Sequence, residues 1–349
     1  MRKIRSLHKK QVVFILLLLV VLAILIWIFL PVRRDVCRRS VAWVECHTCY
    51  YLAAPGIDTL YFNQYDNEDS SFLNMSLGPR PSEETFRANG FWYQPFLWLN
   101  GGRLFTSAVV VPHDSLLLMF SKDPTAFMKR QLQQCKLQVS RLEHEENEYQ
   151  YYMRTHSVQD EGYTLIAQYY SRLKMYHDTL IRISHKLESY SQLASASLRL
   201  QRWSRYSIRS MADSGLQTLS VNARLLGMDS AYGVALLQTD NEKLPKGAAV
   251  ITGNLFDVLR LFYNHRPIRS ATLVGFNRPA DLALVDSIEP DYILGQLTSK
   301  DKNVVPHFPA LSAIDGAPVF LSNGHLWGMF TSKRMIHYSD LNKIFWRLK

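Results

Sequence analysis

Cys37, Cys46, His47 and Cys49 lie close together in the segment VCRRSVAWVECHTCYY. Thiols at this spacing can pair as a disulfide in an exported protein, and Cys46 with Cys49 is the candidate pair. Three thiolates and an imidazole can instead bind zinc, but one Cys-x-x-Cys without a second pair is weak evidence for a metal site. Haem attachment is excluded because Tyr50 stands where that motif needs histidine. We therefore predict no metal and no cofactor.

Four arginines recur every three or four residues in the segment LRLQRWSRYSIR, with aromatic residues between them. On a helix this spacing places them on one face, which would suit an anionic partner such as nucleic acid or lipid headgroups. A solvated helix face has the same spacing and is the commoner case, so nucleic acid is not the expected partner. The four are Arg199, Arg202, Arg205 and Arg209.

An apolar stretch from Val12 to Leu30 contains no charged residue, no glycine and no proline. As a helix it spans about 28 Å, close to the hydrocarbon thickness of a bilayer. The residues after it, from Pro31 to Arg34, differ from the small-residue cleavage site of a signal peptide. The sequence therefore predicts an uncleaved transmembrane helix at 12–30, behind a basic tail at 1–11.

The positive charge of the chain is concentrated around that stretch. The 349 residues include 40 Lys and Arg against 30 Asp and Glu, a net charge of +10. Residues 1–40 hold +8, residues 123–212 hold +4, and the rest of the chain holds −2. The excess therefore marks a membrane anchor rather than a nucleic-acid-binding domain. Slightly more positive charge precedes the span than follows it, so we expect a single-pass bacterial inner-membrane protein with its C-terminal body outside the cytoplasm.

Two stretches after Pro124 have mainly apolar residues at alternating spacings of three and four, the pattern of a coiled coil. A polar turn, HSVQDEG, separates them. We predict an antiparallel helical hairpin inserted at 123–212, and we expect it to be the docking site of a protein partner. The first seam is Met128, Leu132, Cys135, Val139, Leu142, Glu146, Tyr149 and Met153, and the second is Tyr169, Leu173, Tyr176, Leu180, Ile183, Leu187 and Tyr190.

The chain outside the hairpin is rich in short apolar runs such as SLLLMF, ATLVGF and PVFLS, separated by Gly, Pro, Asn and Asp. These runs predict short β-strands. Residues 66–84 are polar and lack periodicity, so they predict a linker at the end of a membrane-proximal segment, 31–84. Strands on both sides of the hairpin indicate one β domain, with its first part at 85–122 and its remainder at 213–349.

Three stretches resemble, in the same order, motifs of trypsin-like serine proteases, and of the HtrA type in particular. GGRLFTSAVVV (101–111) is similar to the DGxILTNAHVV that presents the general-base histidine, and VNARLLGMDSAYGVALLQTD (221–240) to the segment that carries the aspartate. AIDGAPVF (313–320), followed by LSNGHLWGMF, is similar to the nucleophile motif GDSGGPVF. The resemblance covers roughly residues 85–122 and 215–345. It implies a mainly β fold: a trypsin-like double β-barrel, interrupted by the long antiparallel hairpin and preceded by one transmembrane helix.

The positions that carry the catalytic triad in that family are all substituted in this chain. Val109 stands at the histidine position, Gly233 at the aspartate position and Asp315 at the serine position. Acyl transfer in the family needs a serine activated by a histidine whose tautomer a carboxylate fixes. Gly316 and Pro318, which shape the turn, are retained. The resemblance therefore implies a membrane-anchored, non-catalytic protease homologue, which acts in the cell envelope as a binding or scaffolding module through its hairpin and barrel cleft.

The alternative is an active membrane-bound serine endopeptidase with a displaced catalytic site. Such a site would be built from His113, from Asp281 or Asp229, and from Ser312. Each of them requires a different shift from the motif position, and each shift disrupts the match around it. The sequence therefore favours the non-catalytic interpretation.

Overall fold

Contacts divide the chain into two compact units. The first unit comprises Met1–Glu45, Arg87–Val111 and Tyr206–Lys349, and the second comprises Cys46–Phe86 and Pro112–Arg205. The computed structural model describes residues 14, 16–21, 33–66, 68, 71–78, 83–95, 101–212, 215–217, 219–252, 268–276, 289–300, 303–308, 315–322, 324–331 and 334–348.

Strands dominate the first unit and two long helices dominate the second. The helices are α1 (Arg34–Arg39), α2 (Ser115–Lys122), α3 (Pro124–Thr155), α4 (Tyr163–Ser191) and α5 (Tyr338–Leu348). The strands are β1 (Val41–Ala54), β2 (Ile57–Phe62), β3 (Gln64–Asp66), β4 (Ser71–Leu73), β5 (Glu84–Gln94), β6 (Arg103–Ser107), β7 (Arg199–Ala212), β8 (Gly215–Leu216), β9 (Val221–Asp229), β10 (Val234–Thr239), β11 (Ile251–Thr252), β12 (Ile268–Gly275), β13 (Asp291–Lys300), β14 (Asn303–His307), β15 (Pro318–Leu321), β16 (Leu326–Phe330) and β17 (Met335–His337).

One sheet of the first unit has the hydrogen-bonded order β11-β5-β6-β10-β9-β7-β1. Every residue of β10 is buried. Its first four residues, VALL, are therefore apolar on both faces of the strand. Strand β10 pairs antiparallel with β6, so that Val234 opposes Ser107, and with β9, so that Val234 also opposes Asp229. This register brings the turn before β10 beside the end of β6. The core behind the sheet is aromatic and includes Trp43, Phe91, Tyr93, Phe105 and Phe345.

The other large sheet of the first unit is a six-stranded antiparallel barrel with the order β14-β13-β12-β15-β16-β17. Leu273, Ala317, Val319 and Trp327 are buried in its core. The runs ATLVGF and PVFLS, predicted as strands, lie at β12 and β15, and both predictions are confirmed. Because β15 pairs with both β12 and β16, the residues that directly precede it are held against the barrel.

Helices α3 and α4 form the predicted antiparallel hairpin of the second unit. The rings of Tyr149 and Tyr169 meet near its turn, with centroids 5.1 Å apart, and Lys136 pairs with Glu188 farther down at 3.2 Å. The base of the hairpin packs on β2 and β4. The side chains buried in this cluster include Leu60, Phe62 and Phe72 from the strands and Phe127, Met128, Leu180, Leu187 and Tyr190 from the helices.

The second predicted seam of the hairpin is buried at most of its positions, but not at Tyr169 and Tyr176. Tyr176 is exposed, and the next residue, His177, is buried in its place with its Nδ1 atom 2.6 Å from a carboxylate oxygen of Glu146. An α-helix has 3.6 residues per turn and drifts from a strict 3.5-residue repeat, so a pattern read over several turns slips by one residue.

The hairpin ends earlier than predicted. Helix α4 ends at Ser191, and the residues that we expected to continue it form strand β7. Strand β7 pairs antiparallel with β9, with Tyr206 opposite Ala223 and Ile208 opposite Val221. The prediction of a helix through residue 212 is therefore wrong, because sheet pairing overrides a local spacing that also suits a helix.

Two further stretches differ from the sequence prediction. The run SLLLMF, predicted as a strand, begins helix α2, whose Leu116 and Phe120 are buried one turn apart. The segment 31–84, predicted to be membrane-proximal and partly a linker, contains α1 and β1–β4. Strand β1 is buried along most of its length, so its apolar residues do not alternate with polar ones and the strand gives no period-two signal.

The transmembrane helix predicted at 12–30 lies largely outside the described residues. Phe14 and residues 16–21 are described, and they are helical and exposed. Within the described part of the chain, no helix is long and apolar enough to cross a membrane. The anchor remains a prediction from the sequence.

Candidate functional site

The three protease-like stretches meet at one place in the first unit. The Ala108 N–H donates to the Gly233 carbonyl over 2.9 Å, which joins the end of β6 to the turn before β10. The Ser107 hydroxyl donates to a carboxylate oxygen of Asp315 over 2.8 Å. These residues are far apart in the sequence, and we call Ser107, Val109, Gly233 and Asp315 the triad-position cluster after the positions that the resemblance implies.

Val109 lies in a single 3₁₀ turn, Ala108–Val110, that follows directly on β6. The Ser107 hydroxyl oxygen caps this turn by accepting from the Val109 N–H over 3.3 Å. The Val109 side chain is 49% exposed, so an apolar group that can neither accept nor give a proton occupies the outer surface here. Without an ionisable group at this position, nothing there can act as a general base.

Gly233 occupies a backbone position that other residues rarely adopt, with φ at +71°. The turn before it is fixed by Asp229, whose Oδ1 atom accepts from the N–H groups of Ala231 and Tyr232 over 3.0 and 3.1 Å. The other carboxylate oxygen of Asp229 pairs with Arg347 of helix α5. Asp229 therefore shapes the turn and anchors the C-terminal helix, and its carboxylate is engaged in both tasks.

Asn89 of β5 connects its sheet to the barrel. Its side-chain oxygen accepts from the Phe276 N–H over 2.8 Å, and its side-chain nitrogen donates to the Phe276 carbonyl over 3.2 Å. Its own backbone N–H donates to the Asp315 carbonyl over 2.8 Å. Because Asn89 is fully buried and bonded at three points, it fixes Asp315 against both sheets of the first unit.

Gly316 makes the closest backbone approach of the site. Its φ is +90°, and a Cβ atom added there would lie 2.0 Å from the Asn89 carbonyl oxygen and 3.0 Å from the Ser107 nitrogen. Its N–H donates to the Phe330 carbonyl over 2.9 Å. The backbone geometry therefore requires glycine at this position. This requirement does not depend on catalysis, so it holds although Asp315, and not serine, precedes the glycine.

The cluster can hold its shape, but it lacks the groups for acyl transfer. The Asp315 carboxylate accepts the Ser107 hydroxyl hydrogen, so the serine of this cluster is paired with a carboxylate and not with the histidine that a Ser-His-Asp triad uses. A negative charge at Asp315 would also repel the oxyanion that forms in acyl transfer. Neither Ser107 nor Asn89 was singled out from the sequence. The available signal for Asn89 was an asparagine close to three aromatic residues, in the segment ANGFWY.

The displaced site is only partly within the described residues. His113 is described and lies exposed on the second unit, whereas Asp281 and Ser312 lie outside the described residues. The hypothesis of a displaced catalytic site therefore stays a prediction.

No protein-family model matches this chain, and no curated protein matches it. Among solved structures, it is similar to Deg5, with a TM-score of 0.37, 11% identity and 88% of each chain covered. It is also similar to the serine endoprotease from Yersinia pestis, with a TM-score of 0.36 and 11% identity over 90% of this chain and 64% of that one. Both likenesses are distant and concern the fold.

The candidate disulfide between Cys46 and Cys49 does not suit the geometry of β1. Three residues of extended strand separate the Cα atoms by roughly 10 Å, whereas a disulfide needs less than about 7 Å. His47 Nδ1 lies 3.2 Å from the Thr85 hydroxyl and 3.5 Å from a carboxylate oxygen of Glu83. Among the described residues, no group of three or more His, Cys, Asp or Glu side chains could hold a metal ion.

Two buried thiols have raised pKa values. Burial raises the pKa of Cys37 to about 12 and that of Cys135 to about 11. Alkylation requires the thiolate, so we expect both to resist iodoacetamide in the native protein near neutral pH and to react fully in guanidinium, as read by mass spectrometry. An alkylation rate in the native protein equal to the rate in guanidinium would contradict this.

The two raised pKa values also make stability depend on pH. The unfolded chain loses the thiol protons from pH 9 upward, while the folded chain keeps them. The contribution of the two thiols to the free energy of unfolding is therefore present below pH 9 and falls as pH rises toward 12.

The predicted anionic-partner patch does not form as predicted, because its residues lie on a strand. Side chains alternate along β7, so Arg202 points to the opposite face from Arg199, Arg205 and Arg209. A spacing of three residues places successive side chains on opposite faces of a strand, so the four arginines do not share the one face that a helix would give them.

Two of these arginines are also engaged in contacts within their own units. Arg202 donates to the Pro112 carbonyl over 2.8 Å and to the Asp114 carboxylate. Arg209 pairs with the buried carboxylate of Glu45 at 3.4 Å. These two guanidinium groups therefore stabilise the fold, and a single face of four arginines open to an anionic partner is not present.

Proposed function

We propose that this protein is a membrane-anchored, non-catalytic homologue of trypsin-like serine proteases of the HtrA type, which serves as a binding or scaffolding module of the cell envelope. The observation that carries the proposal is the hydrogen bond from Ser107 to Asp315, at the position where the family has its nucleophile. In this proposal the two sheets of the first unit correspond to the double barrel, and the body lies outside the cytoplasm.

The absence of catalysis is argued from three substitutions that act together. Val109 supplies no base, Gly233 supplies no carboxylate, and Asp315 carries a charge that opposes the oxyanion. The backbone of the site is closely held, since Gly316 approaches the Asn89 carbonyl and the Asn89 side chain bonds to Phe276. A site that keeps its shape without its reacting groups suits binding rather than cleavage.

The hairpin is the docking arm in this proposal. Its outer surface carries several large apolar side chains that are exposed within the second unit, a composition that is typical of protein-interaction surfaces. Both helices contribute to this surface, which makes it a broad one. These side chains are Leu137, Tyr151, Val158, Leu165, Met175 and Tyr176.

A fluorophosphonate probe for serine hydrolases tests the absence of catalysis. We expect the detergent-solubilised full chain to be labelled no more than its heat-denatured form, because the triad-position cluster contains no serine–histidine pair. Labelling is read by in-gel fluorescence, and an active trypsin-like protease added to the same sample shows that the probe reacts.

The variants Ser312→Ala and His113→Ala decide between this proposal and a displaced active site. We expect both to give the same background as the wild type. Ser121→Ala, at an exposed serine of α2, is the matched control for a serine substitution as such. Labelling of the wild type that is lost in Ser312→Ala but kept in Ser121→Ala would contradict the proposal.

A further inference from the structure

Helix α1 begins only four residues after the predicted membrane span. The span ends at Leu30 and α1 begins at Arg34, so the connecting chain can reach at most about 14 Å even when fully extended. Whatever α1 is attached to must therefore lie close to the headgroup layer of the bilayer that holds the anchor.

Helix α1 is firmly part of the first unit. Cys37 is buried in the same core cluster as Val274 of β12, and Val36 packs against that cluster. The Cys37 thiol also donates to the Gly324 carbonyl over 3.5 Å. The short connection thus tethers the unit itself, and not a loose segment of it, to the membrane.

Strand β13 lies beside α1. Arg38 of the helix pairs at 2.8 Å with Glu289, two residues before the strand begins. Tyr292 follows Glu289 by three residues, so the Arg38–Glu289 pair places the start of β13 near α1. Burial raises the pKa of the Tyr292 hydroxyl. Arg34 itself is exposed, and it is the first residue of α1.

The outward face of β13 presents apolar side chains next to this cationic helix end. Residues alternate along the strand: Leu297 is buried in the barrel core, whereas Tyr292 and Leu294 point to the other side and are 44% and 75% exposed. An aromatic ring, an exposed leucine and an arginine are the combination that suits the boundary between acyl chains and headgroups.

We propose that Arg34, Tyr292 and Leu294 form a lipid-headgroup face, which rests on the bilayer surface and contacts anionic phosphates through Arg34. The proposal rests on the membrane anchor of the proposed function. It adds that the body lies against the membrane with a defined orientation, with Leu294 entering the interfacial layer while Arg34 meets the phosphates.

Fluorescence quenching by lipid tests the proposal on the full chain. The variant Leu294→Cys is reconstituted in vesicles of phosphatidylethanolamine and phosphatidylglycerol, and its new cysteine is labelled with nitrobenzoxadiazole. The vesicles also contain a lipid that carries a doxyl quencher at a shallow position. The four native cysteines are buried, so unsubstituted protein carried through the same reaction gives the background labelling. The matched control is Leu219→Cys, an 81% exposed position of the same unit. We expect the label at 294 to be quenched at least about twofold more than the label at 219, since only the first enters the interface.

A third label separates this proposal from the anchor on which it rests. Leu17→Cys lies within the predicted span, and a deep doxyl quencher reports on it. Quenching at 17 with equal quenching at 294 and 219 overturns the headgroup face and leaves the anchor standing. Absence of lipid quenching at 17 overturns the anchor, and the face with it.

Charge and competing occupants are tested with the same label. Arg34→Glu in the Leu294→Cys chain is expected to reduce quenching at 294 in vesicles with phosphatidylglycerol and to leave it unchanged in vesicles of phosphatidylcholine alone. A label at 294 that is shielded from aqueous iodide but not quenched by lipid would mean that protein covers this face, and it would overturn the proposal.

Discussion

Replacing Gly316 by alanine is expected to lower the free energy of unfolding of the first unit by about 4 kcal/mol or more, because strain and overlap act at one position. The glycine has φ at +90°, and an added Cβ would lie 2.0 Å from a carbonyl oxygen that Asn89 cannot move without breaking its bonds to the barrel. The measurement is guanidinium unfolding of the full chain in detergent, followed by the fluorescence of the buried Trp43, Trp92 and Trp327.

Gly56→Ala, in the second unit, is the control for this substitution, and its unfolding is followed by circular dichroism in the far ultraviolet, where the helices of that unit dominate the signal. Gly56 has φ at +78° but has no atom within 4 Å of an added Cβ, so only the backbone cost of about 1–2 kcal/mol is expected. The difference between the two variants therefore measures the close approach of Gly316 to Asn89. Equal losses of stability in the two variants would show that this approach is not tight.

The parts of the fold that the sequence predicted are those encoded by local patterns. The hairpin was predicted because its seams repeat over many turns, and strands β12 and β15 because their apolar runs are short and end in turn residues. Within the site, Gly316 was expected to serve a tight turn before a strand, and its φ of +90° just before β15 agrees with that expectation.

The parts that the sequence did not predict depend on long-range contacts. Strand β7 has a spacing of arginines that suits a helix, and its place in the sheet between β9 and β1 is what makes it a strand. Within the site, the Ser107 hydroxyl meets a carboxylate more than two hundred residues away. No local pattern contains such a pair, because it forms only when β6 and β15 are in place.

The second large effect on stability is expected at Leu187, which lies at the base of the hairpin. This side chain is fully buried in the cluster formed with β2 and β4, so Leu187→Ala removes buried apolar volume at a site that strands hold on one side. We expect a loss of about 3–4 kcal/mol from the free energy of unfolding of the second unit. The measurement is guanidinium unfolding followed by circular dichroism in the far ultraviolet, where the long helices dominate the signal.

Leu165→Ala is the control on the same helix. Leu165 is 74% exposed near the other end of α4, and its replacement by alanine is expected to change stability by no more than about 0.5 kcal/mol. If the proposed docking arm is correct, the two leucines have opposite roles: Leu187 holds the hairpin on its base, and Leu165 is available to a partner. Equal effects of the two substitutions on unfolding would contradict the packing of the base, since a hairpin that does not pack on the strands would lose little from either.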